Sequence, residues 1–231
     1  MMGLALSDRS RRAFDRLIGD ARRVLGDRFV ALVVYEPSAA LVFTTSVTPA
    51  DLDALSALVD AWHRDGLRTP LVMTPDEFRR SLDAFPLEYQ AIIDRHVVLA
   101  GRSPFTETEI STTDLRRACE VQAKAQLLHL RQGWLESAGH EDEMADLIAH
   151  SVGPLRALLA NVARLNGLPT DEPEGLVRCA EQIINMPTDL IRALLALESA
   201  PERADALVPR LPEYLAALER LWAFIDAWRS R

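Results

Sequence analysis

A chain of 231 residues, 48% apolar and 26% charged, can bury a substantial core as one large or two small domains. Its formal charge of −8 and pI of about 5.2 argue against a dedicated surface for nucleic acid or anionic membrane. Lys124 is the single lysine among 26 basic residues, a bias that reads as codon usage rather than phosphate recognition.

The opening segment turns charged within ten residues and has no apolar core, so a secretory signal is not expected. Ser7 is placed to cap a helix to about Leu25, with Ala13, Phe14, Leu17, Ile18, Ala21 and Leu25 recurring at helical spacing. Two apolar runs follow, Phe29 to Tyr35 and Leu41 to Thr45, which read as strands. Their joint, Glu36-Pro37-Ser38-Ala39-Ala40, has turn chemistry, and five residues suit a hairpin loop. Thr48-Pro49-Ala50-Asp51 starts a helix expected to run through Leu52, Leu55, Leu58, Val59 and Trp62 to Gly66. Pro70 to Met73 predicts a third strand, and Thr74-Pro75-Asp76-Glu77 a capping box. A break at Phe85-Pro86 and a fourth strand from His96 to Ala100 complete this half.

After residue 111 every pattern is helical. Long helices are expected from Thr113 to about Glu136 and from Glu141 to Leu165, the second with a kink at Pro154, which cannot bond back to His150. Prolines then divide three or four shorter helices. An α+β protein is predicted, with an α/β domain over residues 1–111 and an all-α helical bundle over 112–231. Cys119 and Cys179 are isolated within helical patterns and read as buried free thiols of a reducing compartment. No uncharged run spans a bilayer as a helix, so a cytoplasmic protein without membrane partners is expected.

Spacing excludes several chemistries. No two of the ten glycines lie within five residues of one another, which removes GxGxxG and the P-loop. There is no GxSxG, no HExxH, no di-iron ExxH and no Arg-to-His spacing of HEPN-type RNases. Glu143, Asp146 and His150 could share a helix face as metal ligands, but acids at 141–143 also suit the first turn of a helix, where they complement its dipole.

From Val42 to Gly167 the chain resembles a bacterial group of nucleotidyltransferase-like proteins, in which a polymerase-β-type domain precedes a helical one. The matching stretches are VTPADLDALSALVDAWHRDGLRTPLVMTPDEF, SLDAFPLEYQAIIDRHVVLAG and DLRRACEVQAKAQLLHLRQGWLE. The resemblance implies a small mixed sheet and an active site holding two Mg²⁺ about 4 Å apart on an Asp-x-Asp strand, after a Gly-Ser helix start that binds phosphates. Here the first strand ends in Tyr35-Glu36-Pro37 and the next reads Leu41-Val42-Phe43-Thr44-Thr45, so both motifs are missing.

The expectation is therefore a nucleotidyltransferase-fold pseudoenzyme that binds a nucleotide-like ligand or a protein partner in a cleft between its domains, with no cofactor. Glu36 and Glu120 are the candidate catalytic residues, and Lys124, Arg131, Asp83 and Glu88 the candidate ligand-binding ones. Glu120 and Lys124 also have the spacing of a solvated i, i+4 pair. Two alternatives stand beside this. One is an active Mg²⁺-dependent transferase with Glu36, Asp83 and Glu88 as unusual ligands. The other is an interaction protein, toxin–antitoxin-like or homodimeric, acting through the helical domain, whose last helix carries a broad stripe from Leu215 to Trp228.

Overall fold

The computed structural model of the chain describes residues 6–106, 108–168 and 173–229. Contacts divide these into two units, with the boundary between Ile110 and Ser111.

In the first unit, Ser7 caps α1 (Asp8–Leu25) by accepting a hydrogen bond from the Ser10 amide, and Gly26 at φ 58° ends it. Next come β1 (Phe29–Glu36) and β2 (Ala39–Thr44), an antiparallel hairpin. Their joint is shorter than the sequence suggests. Glu36 pairs with Ala39, so only Pro37 and Ser38 form the turn, and Ala39 and Ala40 belong to the strand. Both alanines are buried, and Ala40 is held in register opposite Val34.

Thr48 and Asp51 form a complete capping box at α2 (Pro49–Ser56), as Thr74 and Glu77 do at α4 (Pro75–Arg80). The single helix expected from Pro49 to Gly66 is instead two, α2 and α3 (Val59–Arg64). The Leu58 amide bonds to the carbonyl of Leu55, three residues back, which tightens the chain and ends the α-helical ladder without a glycine or proline. Then β3 (Leu71–Met73) runs parallel to β2, and α5 (Pro86–Asp94) leads to β4 (Val97–Gly101), antiparallel to β1. The sheet is mixed, in the order β3-β2-β1-β4.

Helices cover both faces of this sheet. Leu32, Val34, Ala40 and Val42 pack with Phe14, Leu17, Leu55 and Trp62 on one side. Ala31, Val33, Leu41 and Phe43 pack with Phe78, Tyr89, Ile92 and Phe105 on the other. Burial on both faces explains why β1 and β2 read as continuous apolar runs rather than alternating ones.

In the second unit, Ser111 caps α6 (Thr112–Glu136). A turn through Ala138 and Gly139, both at positive φ, returns the chain into α7 (Glu141–Leu165). Pro154 deprives the His150 carbonyl of its helical donor, and α7 continues past it to Leu165. Helix α8 (Pro173–Ile184), α9 (Thr188–Ala196), a 3₁₀ segment (Pro201–Arg210) and α10 (Leu211–Ala227) follow. α6 packs on α7 and α10, and α7 also contacts α8 and the 3₁₀ segment. Leu127, Leu130, Ile148, Leu155, Tyr214 and Leu221 form the fully buried centre.

The stripe on α10 is used within the bundle. Leu215, Leu218, Leu221 and Ile225 are buried, and Trp222, Phe224 and Trp228 half-buried, so most of this face packs within the bundle. The exposed large apolar residues described in the second unit are Val121, Leu128 and Leu135, all on α6. No described helix is long and apolar enough to cross a membrane.

Candidate functional site

The sheet unit places Glu36 at the end of β1, where its carboxylate accepts a 2.6 Å hydrogen bond from Arg68. Both side chains are more than half exposed, so this pair contributes at most about 1 kcal/mol. The Arg68 amide also bonds to the Ser38 carbonyl, fastening the hairpin turn to the segment before β3. Asp83 lies in the turn before α5 and Glu88 in the first turn of that helix, both exposed. Among the described residues, no three His, Cys, Asp or Glu side chains come together as a metal would need. Glu36, Asp83 and Glu88 are thus not gathered, nor are Glu143, Asp146 and His150. Asp146 meets His150 through its backbone carbonyl, 2.7 Å from Nδ1.

The most strongly held carboxylate of the sheet unit was not among the sequence candidates. Asp51, 5% exposed, accepts two 2.6 Å hydrogen bonds from the Arg28 guanidinium and two more from the hydroxyl and amide of Thr48. The guanidinium first, and Thr48 second, hold its carboxyl well below the usual carboxylate range. Every oxygen is used, so Asp51 ties the start of α2 to the start of β1 rather than serving chemistry.

In the helical unit, Glu120 does not pair with Lys124. It pairs with Arg116 at 2.9 Å, one turn earlier, and Lys124 instead lies over the Trp222 ring, 3.8 Å from its centroid. Arg116 also donates to the Ile225 carbonyl, which fixes it on the Glu120 side. Arg131 is paired with Glu219. The three α6 residues proposed for catalysis and phosphate binding are therefore engaged with α10 or with their own helix. Cys119 and Cys179 are buried, and burial pushes both thiols up to about 12, so neither is a thiolate nucleophile at neutral pH.

What sequence reasoning missed lies between α6 and α7. A half-open groove of about 310 Å³ is lined by Ala125, Leu130, Leu147 and Pro154, with Gln122, Gln126, Ser151, His129 and His150 beside them, and Pro154 and both histidines are exposed. Gln126, 7% exposed, donates to the Ser151 carbonyl at 3.0 Å and to the Tyr214 hydroxyl at 3.1 Å. Tyr214 reaches the Ser151 hydroxyl at 3.1 Å, which donates to the Ile148 carbonyl at 2.7 Å. Since Ser151 gives its proton to that carbonyl, Tyr214 donates to Ser151 and accepts from Gln126, and the three form one directed chain. Burial pushes the Tyr214 phenol up to about 12 against the pull of Ser151 and Gln126, so it stays a neutral donor. The Gln126 carbonyl oxygen is left over, buried with no partner. One signal was present in the sequence: Gln126 and Ser151 are polar residues at apolar helical positions, between Ala123 and Leu130 and between Ile148 and Leu155.

No protein-family model, curated protein or solved structure matches this chain.

Proposed function

We propose that the chain is a nucleotidyltransferase-like protein without metal-dependent transferase activity, acting by binding. The observation that carries this reading is the two-residue joint between β1 and β2. A transferase of that type needs a helix there, whose first amides hold phosphate, and then carboxylates on the second strand. The hairpin leaves no residues for the helix, and the strand offers Leu41, Val42, Phe43 and Thr44, all buried. A two-Mg²⁺ centre does not fit this donor set, because Glu36 is the one acid at the joint and Arg68 already holds it. The test is incubation with each Mg²⁺-nucleoside triphosphate and a range of acceptors. No nucleotide transfer is expected. Transfer that disappears in Glu36→Gln or Glu120→Gln would overturn the reading.

A second reading, a homodimer through the helical unit, is favoured by one observation. Val121, Leu128 and Leu135 are 65%, 50% and 81% exposed and follow one another at seven-residue spacing, which makes a single stripe along α6. A second copy of α6 offers the same spacing and would cover it by two-fold pairing. Light scattering should then give twice the chain mass, falling to one chain mass in Leu128→Glu/Leu135→Glu. A monomer at every concentration sinks the dimer.

A further inference from the structure

We propose that His129 and His150, on opposite walls of the groove between α6 and α7, form an exchangeable two-histidine site for a divalent transition-metal ion such as Zn²⁺. The site lies outside the sheet unit and rests neither on the pseudoenzyme reading nor on the exposed stripe of α6.

The register of the two helices brings the histidines to one level. Gln122 donates to the Pro154 carbonyl, Gln126 donates to the Ser151 carbonyl, and Leu147 lies against Gly133. Numbers thus rise along α6 as they fall along α7, and the steps from 126 to 129 and from 151 to 150 end at matching heights. Both rings line the same half-open groove and both are exposed, so an ion can reach them from solvent. Packed helices run about 8–10 Å apart. Two imidazoles reaching in from the two walls span such a gap around one ion, with Zn–N bonds of about 2.0–2.1 Å.

The chemistry of the groove favours this occupant. The His150 Nδ1 lies 2.7 Å from the Asp146 carbonyl, which can only accept, so Nδ1 carries the proton and Nε2 keeps the lone pair. A ring nitrogen donating to a backbone carbonyl is the usual support behind a ligating histidine. His129 makes no hydrogen bond among the described residues and is free to orient. No Lys or Arg lines the groove to repel a cation. Imidazole nitrogen selects Zn²⁺, Ni²⁺ or Cu²⁺ over Mg²⁺ or Ca²⁺, which prefer oxygen. Two protein ligands are fewer than the three or four of a permanent zinc centre, so water fills the other positions and the ion exchanges.

The experiment is calorimetric titration of the full chain with Zn²⁺, and with Mg²⁺ as the control, in a buffer that does not chelate. One Zn²⁺ per chain and no Mg²⁺ should bind. His129→Gln and His150→Gln, both at exposed positions and checked for fold by circular dichroism, should each weaken Zn²⁺ at least tenfold, the least that even an outer-shell change usually costs. His140→Gln, an exposed histidine outside the groove, should leave the affinity unchanged. Imidazole proton resonances of His129 and His150 should shift together as Zn²⁺ is added. No binding at about millimolar Zn²⁺ overturns the site. So does a loss confined to one of the two groove variants, which would mean a single surface histidine, or an equal loss in His140→Gln.

Discussion

Gly101→Ala is expected to destabilise the sheet unit by about 3 kcal/mol or more, a large share of the stability of an ordinary domain. Gly101 ends β4 at φ +82°, and a Cβ built there would sit 1.9 Å from the Val30 carbonyl oxygen and 2.8 Å from the Ala31 Cα. Both obstacles are backbone of β1, opposite Gly101 in the register, so no rotamer change relieves the overlap. One of the two strands must move, and β1 is central, buried on both faces and bonded to β2 on its other side. Gly66 separates the two contributions to the cost. It has nearly the same φ, +84°, but nothing within 4 Å of its Cβ, so Gly66→Ala should lose only the left-handed strain of about 1–2 kcal/mol. Hydrogen exchange at the β1 and β4 amides reads the difference: Gly101→Ala should collapse protection there, and Gly66→Ala should leave most of it. Equal losses at the two glycines would mean that β4 does not lie against Val30 as described.

The elements legible in the sequence were those fixed by local chemistry. Ser7, Thr48 and Thr74 each cap a helix by a bond to an amide three residues on, and such a bond depends on nothing distant. What escaped was set by packing. Ala39 and Ala40 have little intrinsic preference for a strand and are extended because β1 pairs with them over a closed core. The break after α2 carries no glycine or proline, and Leu52, Leu55, Leu58, Val59 and Trp62 keep helical spacing across it, so periodicity could not show it. The Glu120–Lys124 pair had correct spacing, but Arg116 stands at the same spacing on the other side, and Trp222 draws Lys124 away.

The candidate site was the least legible part for the same reason. Gln126, Ser151 and Tyr214 lie on three helices, 25, 63 and 88 residues apart pairwise, and no motif links them. Their meeting follows from the packing of α6 on α7 and α10, which burial of Leu127, Leu130 and Ile148 determines. A sequence shows that a glutamine occupies an apolar position. It does not show that both N–H groups will be satisfied while the oxygen is not.

Tyr214→Ala should cost the helical unit about 3–5 kcal/mol, in line with removal of a fully buried aromatic ring. The substitution deletes the ring from the centre of the bundle and also cuts the hydrogen-bond chain, and two further variants divide these effects. Tyr214→Phe keeps the ring but leaves one Gln126 N–H buried without an acceptor, for an expected loss of about 1–3 kcal/mol. Adding Gln126→Leu to Tyr214→Phe removes the stranded N–H together with the unpaired oxygen, and so should return part of that loss, because replacing both partners by apolar groups is close to neutral. The double-mutant cycle, measured by chemical denaturation, should therefore show strong coupling between positions 126 and 214. Additive losses would mean that the two side chains do not share a bond. Gln126 would then be free to turn its amide, and the assignment of a buried, unpaired Gln126 oxygen would fall with it.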